Sequence, residues 1–341
     1  MKICQVISSN IPIKPTGERG WGALELIMDE YSKNLRVLGH EVDIKYLNEI
    51  TVGEYDIVHI HVANLAVEAA KRGLPYIYST HDHHSFYYGK DSFNYKEQLE
   101  AIKGSVFSIC HAEYVVDYFD GTDKLFFVPH GVDTSYYLPT DYPKEHKLLV
   151  CANNGLGGDY GYDRKGFSIA IESAKRLDLP ITIVGADANK RFFEEHKYLL
   201  DYEKLTVIDT NPSEDDKLKI FQNHTIFLHP SMLEYGHPNL TLLEAASCCL
   251  PIVGTYSGSN HFWGMWVIPE ITTDAVVHGI KETINTYEHR RNEMLSVKDS
   301  LDWSFVCKIL SKKYEDSLCT NHYNSDTIRL KYIDSINKTL K

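Results

Sequence analysis

The chain is short of the residues that mark several function classes. Its seven cysteines (Cys4, Cys110, Cys151, Cys248, Cys249, Cys307 and Cys319) form no pair at metal-ligand spacing, which argues against a zinc ribbon or finger. Most lie in apolar segments, so reduced core thiols in a cytoplasmic protein are expected rather than a disulfide framework. No apolar run approaches the ~20 residues of a membrane span, and Met1-Lys2-Ile3-Cys4 opens into a strand pattern rather than a signal peptide. Basic residues are outnumbered, 35 Lys and Arg against 47 Asp and Glu, for a net charge of −12. That balance disfavours non-specific nucleic-acid binding. No short repeat and no low-complexity segment is visible. What remains, 43% hydrophobic and 24% charged, is the composition of an ordinary globular protein. A length of 341 residues suits two domains of average size.

The order of patterns gives the architecture. Strand-like runs fall at Ile3–Ile7, Val42–Leu47, Asp56–His61, Tyr76–Ser79, Val106–Ile109 and Leu125–Val128. Helical stretches lie between several of them, at Glu25–Leu38, Leu65–Arg72 and Tyr114–Phe119. Such alternation predicts a parallel sheet covered on both faces. Pro139 to Lys144 breaks the rhythm and reads as a linker. The alternation then resumes, with strands at Leu148–Ala152, Ile181–Val184, Leu205–Ile208, Ile226–Leu228 and Ile252–Val253. Helices are expected over Gly166–Leu177, Asn189–Leu200, Ser213–Gln222 and Leu240–Cys248. The expectation is an α/β protein of two doubly wound, Rossmann-like halves facing across a cleft. Residues 1–140 would form the first half and 145–319 the second, with a helix at about 320–341 packing back on the first.

Polar residues at strand ends carry the candidate chemistry. The stretch from Pro230 to Ala246 hands a buried strand over to a helix capped by Asn239, with Glu234 and Glu244 on either side. A helix start attracts phosphate, and carboxylates beside it can accept hydrogen bonds from sugar hydroxyls. Asp163-Arg164-Lys165-Gly166 follows a glycine-rich loop and puts two cations at another helix start. Cations there can neutralise a diphosphate, with a solvated turn as the plainer alternative. Arg19-Gly20-Trp21-Gly22 lets backbone approach a ligand after the first strand, although its spacing misses the dinucleotide pattern. His81 ends a strand in Thr80-His81-Asp82-His83. With His59 and His61, which point to one side of their strand, it raises the question of a metal site. No cysteine partner or familiar second-shell spacing accompanies them, so hydrogen-bonded histidines are expected and no metal is assigned. Phe86 to Tyr95 is aromatic enough to stack on sugar rings or to pack as a lid, and Trp303 is read as core.

Taken together these residues resemble the family 4 retaining glycosyltransferases, the glycosyl transferases group 1, with a GT-B fold. The resemblance runs from residue 1 to about 320. It covers Gly20 and Gly22, Leu38-Gly39-His40-Glu41-Val42, Asp56-Ile57-Val58-His59-Ile60-His61 and Thr80-His81-Asp82. It continues through Val128-Pro129-His130-Gly131-Val132-Asp133, where His130 replaces the family's asparagine, and through Arg164-Lys165-Gly166. Glu244-Ala245-Ala246, Pro251-Ile252-Val253 and Asp302-Trp303-Ser304 complete it. Two departures stand out. The family's paired glutamates stand closer together than Glu234 and Glu244, which have nine residues between them, and His237 competes with Glu234 for the first role. Ala152-Asn153-Asn154 stands where an arginine is usual, leaving Arg164 as its substitute.

The resemblance implies a metal-independent transfer of sugar from a nucleotide-diphosphate donor to a glycan or other hydroxyl acceptor, with no cofactor. Lys165 and Arg164 would hold the diphosphate, helped by the amides of Gly20–Gly22 and of Asn239, Leu240 and Thr241. Glu244 would take the ribose hydroxyls, Asp209 and Asn211 would flank the base, and Glu234 or His237 would reach the sugar. His81 would lie by the transferred sugar, with Trp21 and His83 towards the acceptor. Attack from the leaving-group side needs no side-chain nucleophile, and none is nominated. Competing readings are a non-catalytic nucleotide-sugar or glycan binder and a nucleotide-sugar epimerase. Neither a membrane nor a nucleic-acid partner has firm support, although a DNA base remains an alternative acceptor.

Overall fold

A computed structural model describes residues 1–8, 23–81, 84–119, 123–141, 145–152, 163–185, 190–210, 212–231, 239–256 and 264–319. The chain divides into two compact units. Met1–His130 and the helix from Trp303 form the first, and Gly131–Glu234 with Pro238–Asp302 form the second.

In the first unit the elements are β1 (Lys2–Ile7), α1 (Ala23–Val37), β2 (Glu41–Tyr46), β3 (Ile57–Ile60), α2 (Ala63–Lys71), β4 (Ile77–Thr80), α3 (His84–Tyr88), α4 (Phe93–Gly104), β5 (Ser108–Cys110), α5 (Glu113–Tyr118) and β6 (Leu125–Phe127). All pairings are parallel, in the order β2-β1-β3-β4-β5-β6. β3, β4 and β5 are buried along their whole length, as strands covered on both faces must be. The second unit has β7 (Leu148–Cys151), α6 (Phe167–Leu177), β8 (Ile181–Val184), α7 (Lys190–Glu195), β9 (Leu205–Ile208), α8 (Glu214–Gln222), β10 (Ile226–His229), α9 (Leu240–Ser247), β11 (Ile252–Gly254), β12 (Trp266–Val267), α10 (Thr273–Asn285) and α11 (Tyr287–Val297). Its sheet is again parallel, in the order β12-β11-β10-β7-β8-β9. One core layer gathers Phe167, Phe192 and Ile280, and the other gathers Phe221, Phe227 and Leu243. Each sheet is thus doubly wound, as the alternation predicts.

The division falls earlier than the sequence suggests at both crossings. Val132 donates its N–H to Leu301 O at 2.8 Å, and Thr134 Oγ1 donates to the Asp302 carboxylate at 2.8 Å. These bonds pin the residues after His130 to the second unit, so the Pro139 region is no inter-domain linker. Conversely α12 (Trp303–Cys319) packs on α1 and belongs to the first unit. Trp303 anchors it edge-on to Tyr31, with ring centroids 5.5 Å apart. A buried aromatic of that size contributes about 3 kcal/mol, and Trp303 is core, as expected. The expected helix near 320–341 lies outside the described residues.

Candidate active site

The second sheet reverses its winding between β7 and β10, the place where ligands of open parallel sheets bind. The turn Asp163–Gly166 precedes α6 there. Gly166 has φ 70°, and a Cβ on it would lie 2.2 Å from the carbonyl oxygen of Pro230, so only glycine lets this turn touch the loop after β10. A second stitch is the Ser231 hydroxyl, which donates to Arg164 O at 3.2 Å. Asp163 holds the turn from the other side. Its carboxylate accepts from Phe167 N at 2.9 Å and from Ser168 N at 2.6 Å. Those first amides of α6 are therefore taken, and an incoming anion there meets side chains instead. Asp163→Ala is expected to lower stability by about 1–2 kcal/mol, read as a lower denaturant midpoint; an unchanged midpoint would contradict the capping role.

Arg164 and Lys165 are thereby placed beside His229, which closes β10. Lys165 is 5% exposed and His229 1%. Burial, and then the neighbouring Arg164 charge, hold the Lys165 amine well below its ordinary pKa. Burial also holds His229 far below its usual value, with Lys165 and Arg164 adding to the effect. Three basic side chains thus crowd the switch point. Placing cations together away from water is costly, and perturbed groups at a strand-end loop are a mark of function. Sequence reasoning missed His229, although a histidine ending an apolar strand is the same signal that singled out His81.

Asn239 caps α9 as expected, its side chain accepting from Thr241 N at 3.3 Å, and Leu240 opens the helix. Glu244, on the next turn, is buried. Its Oε1 receives Lys217 Nζ at 2.9 Å, while Oε2 has no hydrogen-bond partner among the described residues. Lys217 also meets Glu214 at 3.1 Å, and Tyr137 donates its hydroxyl to Glu214 at 2.6 Å. Burial and then the Glu244 charge push the Tyr137 hydroxyl far above its ordinary pKa, so it remains a donor. Neither Lys217 nor Tyr137 is singled out by sequence pattern. Asp209 follows the edge strand β9 and is exposed, two strands away from β7.

In the first unit His81 directly follows β4 and is half-buried. His61 bonds through both ring nitrogens, with Nδ1 2.9 Å from His81 Nε2 and Nε2 2.6 Å from Gln5 Oε1. His59 is bonded to the Ser79 hydroxyl at 2.6 Å and the Tyr314 hydroxyl at 2.7 Å. Burial lowers its pKa to about 3, with His111 contributing, so it is a neutral core residue. The hydrogen-bonded reading of His59 and His61 therefore holds. The aromatic stretch is packed in part: Phe86 stacks on Tyr118 at 3.8 Å and Tyr95 on Phe119 at 5.2 Å, while Tyr88 and Phe93 are exposed. Gly20, Trp21, Gly22, His83, Asn211, Glu234 and His237 lie outside the described residues.

Residues 161–293 match the family model "Glycosyl transferases group 1". A probable sucrose-phosphate synthase of Thermosipho melanesiensis is 24% identical over 226 residues, covering 62% of this chain and 49% of that protein. The chain thus aligns with about half the length of that relative. Among solved structures, a sucrose-phosphate synthase from Thermosynechococcus elongatus superposes with a TM-score of 0.73 at 12% identity, over 94% of this chain and 100% of that one. Anabaena HepE, solved in complex with UDP and glucose, superposes with a TM-score of 0.70 at 13% identity, over 92% and 99%. Among the described residues no helix is long and apolar enough to cross a membrane. Two doubly wound parallel sheets are shared with these structures, so the chain has the GT-B fold, and its residues 161–293 are similar to the glycosyl transferases group 1.

Proposed function

We propose that the protein is a metal-independent, retaining glycosyltransferase of the family 4 type. It takes a sugar from a nucleoside-diphosphate donor to a hydroxyl on a glycan or similar acceptor. The observation that carries this reading is the buried Lys165, with Arg164, beside His229 at the β7/β10 switch point, within the stretch that matches the family. As the bond from the sugar's anomeric carbon to the diphosphate breaks, negative charge grows on the leaving oxygen. Cations already in place and away from water stabilise that charge without reorganising. The acceptor hydroxyl attacks from the same face and gives its proton to the departing phosphate, so configuration is kept and no enzyme nucleophile is used. Glu244, fixed through Oε1 by Lys217, offers Oε2 to a ribose hydroxyl. His81 serves the transferred sugar, and Asn239, Leu240 and Thr241 the phosphates. Asp209, Asn211, Gly20, Gly22, Glu234 or His237 complete the donor set, with Trp21 and His83 on the acceptor side. Seven free thiols suit a cytoplasmic protein.

A thermal-shift series with uridine, guanosine and adenosine diphosphates and their sugars tests the reading, with UDP-glucose first because HepE was solved with UDP and glucose. One series should raise the melting temperature, by about 2.7 kcal/mol of added stability at a hundredfold excess over Kd. The depressed Lys165 pKa also fixes a sign. A bound diphosphate draws the amine back to its charged form, so binding takes up a proton at pH values above the pKa of the free protein, and affinity falls as pH rises further. Calorimetry in buffers of different ionisation enthalpy measures that uptake. No stabilisation by any diphosphate would refute the donor site. Binding without nucleotide release would mark a non-catalytic binder, and an isomerised donor an epimerase.

A further inference from the structure

Gln5 interrupts the apolar run from Ile3 to Ile7 in β1 and is wholly buried. A buried amide costs stability unless it is bonded, and Gln5 Nε2 has no hydrogen-bond partner among the described residues. Core packing alone would favour an apolar side chain there, so the amide has another task. Its oxygen shows which. Gln5 Oε1 lies 2.6 Å from His61 Nε2, and His61 Nδ1 lies 2.9 Å from His81 Nε2. Two bonds thus run from β1, past the end of β3, to the residue that follows β4, and these three strands are neighbours in the sheet.

The pair of bonds has a direction. Burial, and then the neighbouring His59, hold His61 well below its ordinary pKa, so its ring is neutral and carries one proton. An amide oxygen only accepts, so that proton sits on Nε2 and is donated to Gln5. His61 Nδ1 then presents a lone pair, and the second bond is made by His81 donating its Nε2–H. A neutral His81 ring consequently keeps its own lone pair on Nδ1. His61 is held in place by His59, whose ring centroid is 4.2 Å away and which is itself tied to Ser79 and Tyr314. His111 covers His81 at 4.5 Å with 22° between the ring planes, and donates its own Nδ1–H to Val128 O at 2.8 Å.

We propose that Gln5 and His61 are positioning residues for His81. They turn its N–H into the sheet, so that the ring stands beside the transferred sugar in one fixed plane with no N–H to offer it. A ring already held by a bond on its edge and by stacking on its face loses little freedom when the sugar arrives. Neither positioning residue need touch the ligand: both are buried, whereas His81 is half-buried. This role rests on the reading that His81 serves the transferred sugar. The bonds from Gln5 through His61 to His81 do not depend on that reading.

The test compares, on the full chain, affinity for UDP with affinity for UDP-glucose, or for the diphosphate and sugar pair that the melting series selects in their place. His61→Leu and Gln5→Met should each weaken binding of the nucleotide sugar about tenfold and leave the diphosphate within about twofold. His61→Asn sets an amide oxygen where Nδ1 stands, so it keeps an acceptor for His81 and needs no partner at Gln5. It should recover most of the sugar affinity, and Gln5→Met added to it should cost nothing further. A merely structural role would weaken both ligands together and would gain nothing from His61→Asn. Nitrogen-15 spectra of the ligand-free wild type, with the His81 ring identified by its absence in His81→Asn, should show the proton on Nε2; they decide the matter even if His61→Leu fails to fold. A His81 proton on Nδ1, parallel loss of both ligands, or sugar binding unchanged in both His61→Leu and Gln5→Met would overturn the proposal. That last result, with diphosphate still bound, removes this role alone, whereas a wild type that binds no diphosphate removes the donor reading and this role with it.

Discussion

Lys165→Ala is expected to lower turnover at saturating donor by about 10²–10³-fold, some 3–4 kcal/mol of transition-state stabilisation, while leaving the fold intact. The lost rate and the intact fold have opposite causes. In the free protein the amine is buried beside Arg164, and its pKa lies well below the ordinary value. Its charged form is therefore a cost to folding at neutral pH, present wherever the unfolded chain binds the proton and the native one resists it. That cost shrinks as pH rises towards the unfolded lysine value, and removing the amine removes it altogether. The variant should melt no lower than the wild type. Turnover falls because the missing charge is the one that meets the departing diphosphate. Lys165→Arg should recover only part of the rate, since the bulkier guanidinium must enter a site that glycine at 166 already presses against Pro230. Released nucleotide and the thermal melt are read on the same samples. Normal turnover in Lys165→Ala would remove the diphosphate assignment, and a collapsed melt would show that Lys165 is structural.

The fold was legible wherever a strand was long enough to be read. Ile181–Val184 and Leu205–Ile208 coincide with β8 and β9, and the helix capped by Ser213 begins where its cap implies. The two-residue β12 is too short to leave a pattern. α4 was illegible for another reason. Its aromatics are divided between an exposed Phe93 and a buried Tyr95, so no clear apolar stripe marks it, and only the Ser92 cap announces it. Unit boundaries depend on contacts between residues far apart in sequence. Val132 bonds to Leu301, and α12 returns to α1, and neither fact has a local signature.

The placement of candidate site residues was legible when a motif set them in a loop after a strand. Arg164, Lys165, Asn239 and His81 stand at such loops, as expected. What sequence could not show is which strands become neighbours. His81, His111 and His130 are separated by 30 and 19 positions yet stack together because β4, β5 and β6 are adjacent. Lys217 lies 27 positions from Glu244, so their ion pair has no motif at all. Both constellations come from sheet order and layer packing, which periodicity does not encode.

Lys217→Met should destabilise the second unit by about 3 kcal/mol, the lower end of the cost of removing one partner from a buried ion pair. Lys217 is 15% exposed at its side chain, Glu244 6% and Glu214 21%, so solvent screens the group little but not negligibly. Burial by itself would lower the Lys217 pKa, but the charges of Glu244 and Glu214 outweigh it and raise the amine above its ordinary value. A lysine raised in the folded state stabilises fully below its unfolded pKa and loses that contribution only as pH climbs through the folded one. The contribution is therefore constant across the neutral range, and the wild-type and Lys217→Met melting curves should stay parallel there. Removing the amine leaves the Glu214 and Glu244 carboxylates without that cation, while the Tyr137 hydroxyl still donates to Glu214. Glu244→Gln in the Lys217→Met background takes away one of them and should restore about half of the loss, a coupling that a double-mutant cycle isolates. The same pair bears on function. With Oε1 no longer held, Glu244 loses its fixed orientation, so donor KM should rise more than kcat falls. Additive destabilisation in the double variant would mean that Lys217 and Glu244 act independently, and an unchanged KM would separate Glu244 from the ribose.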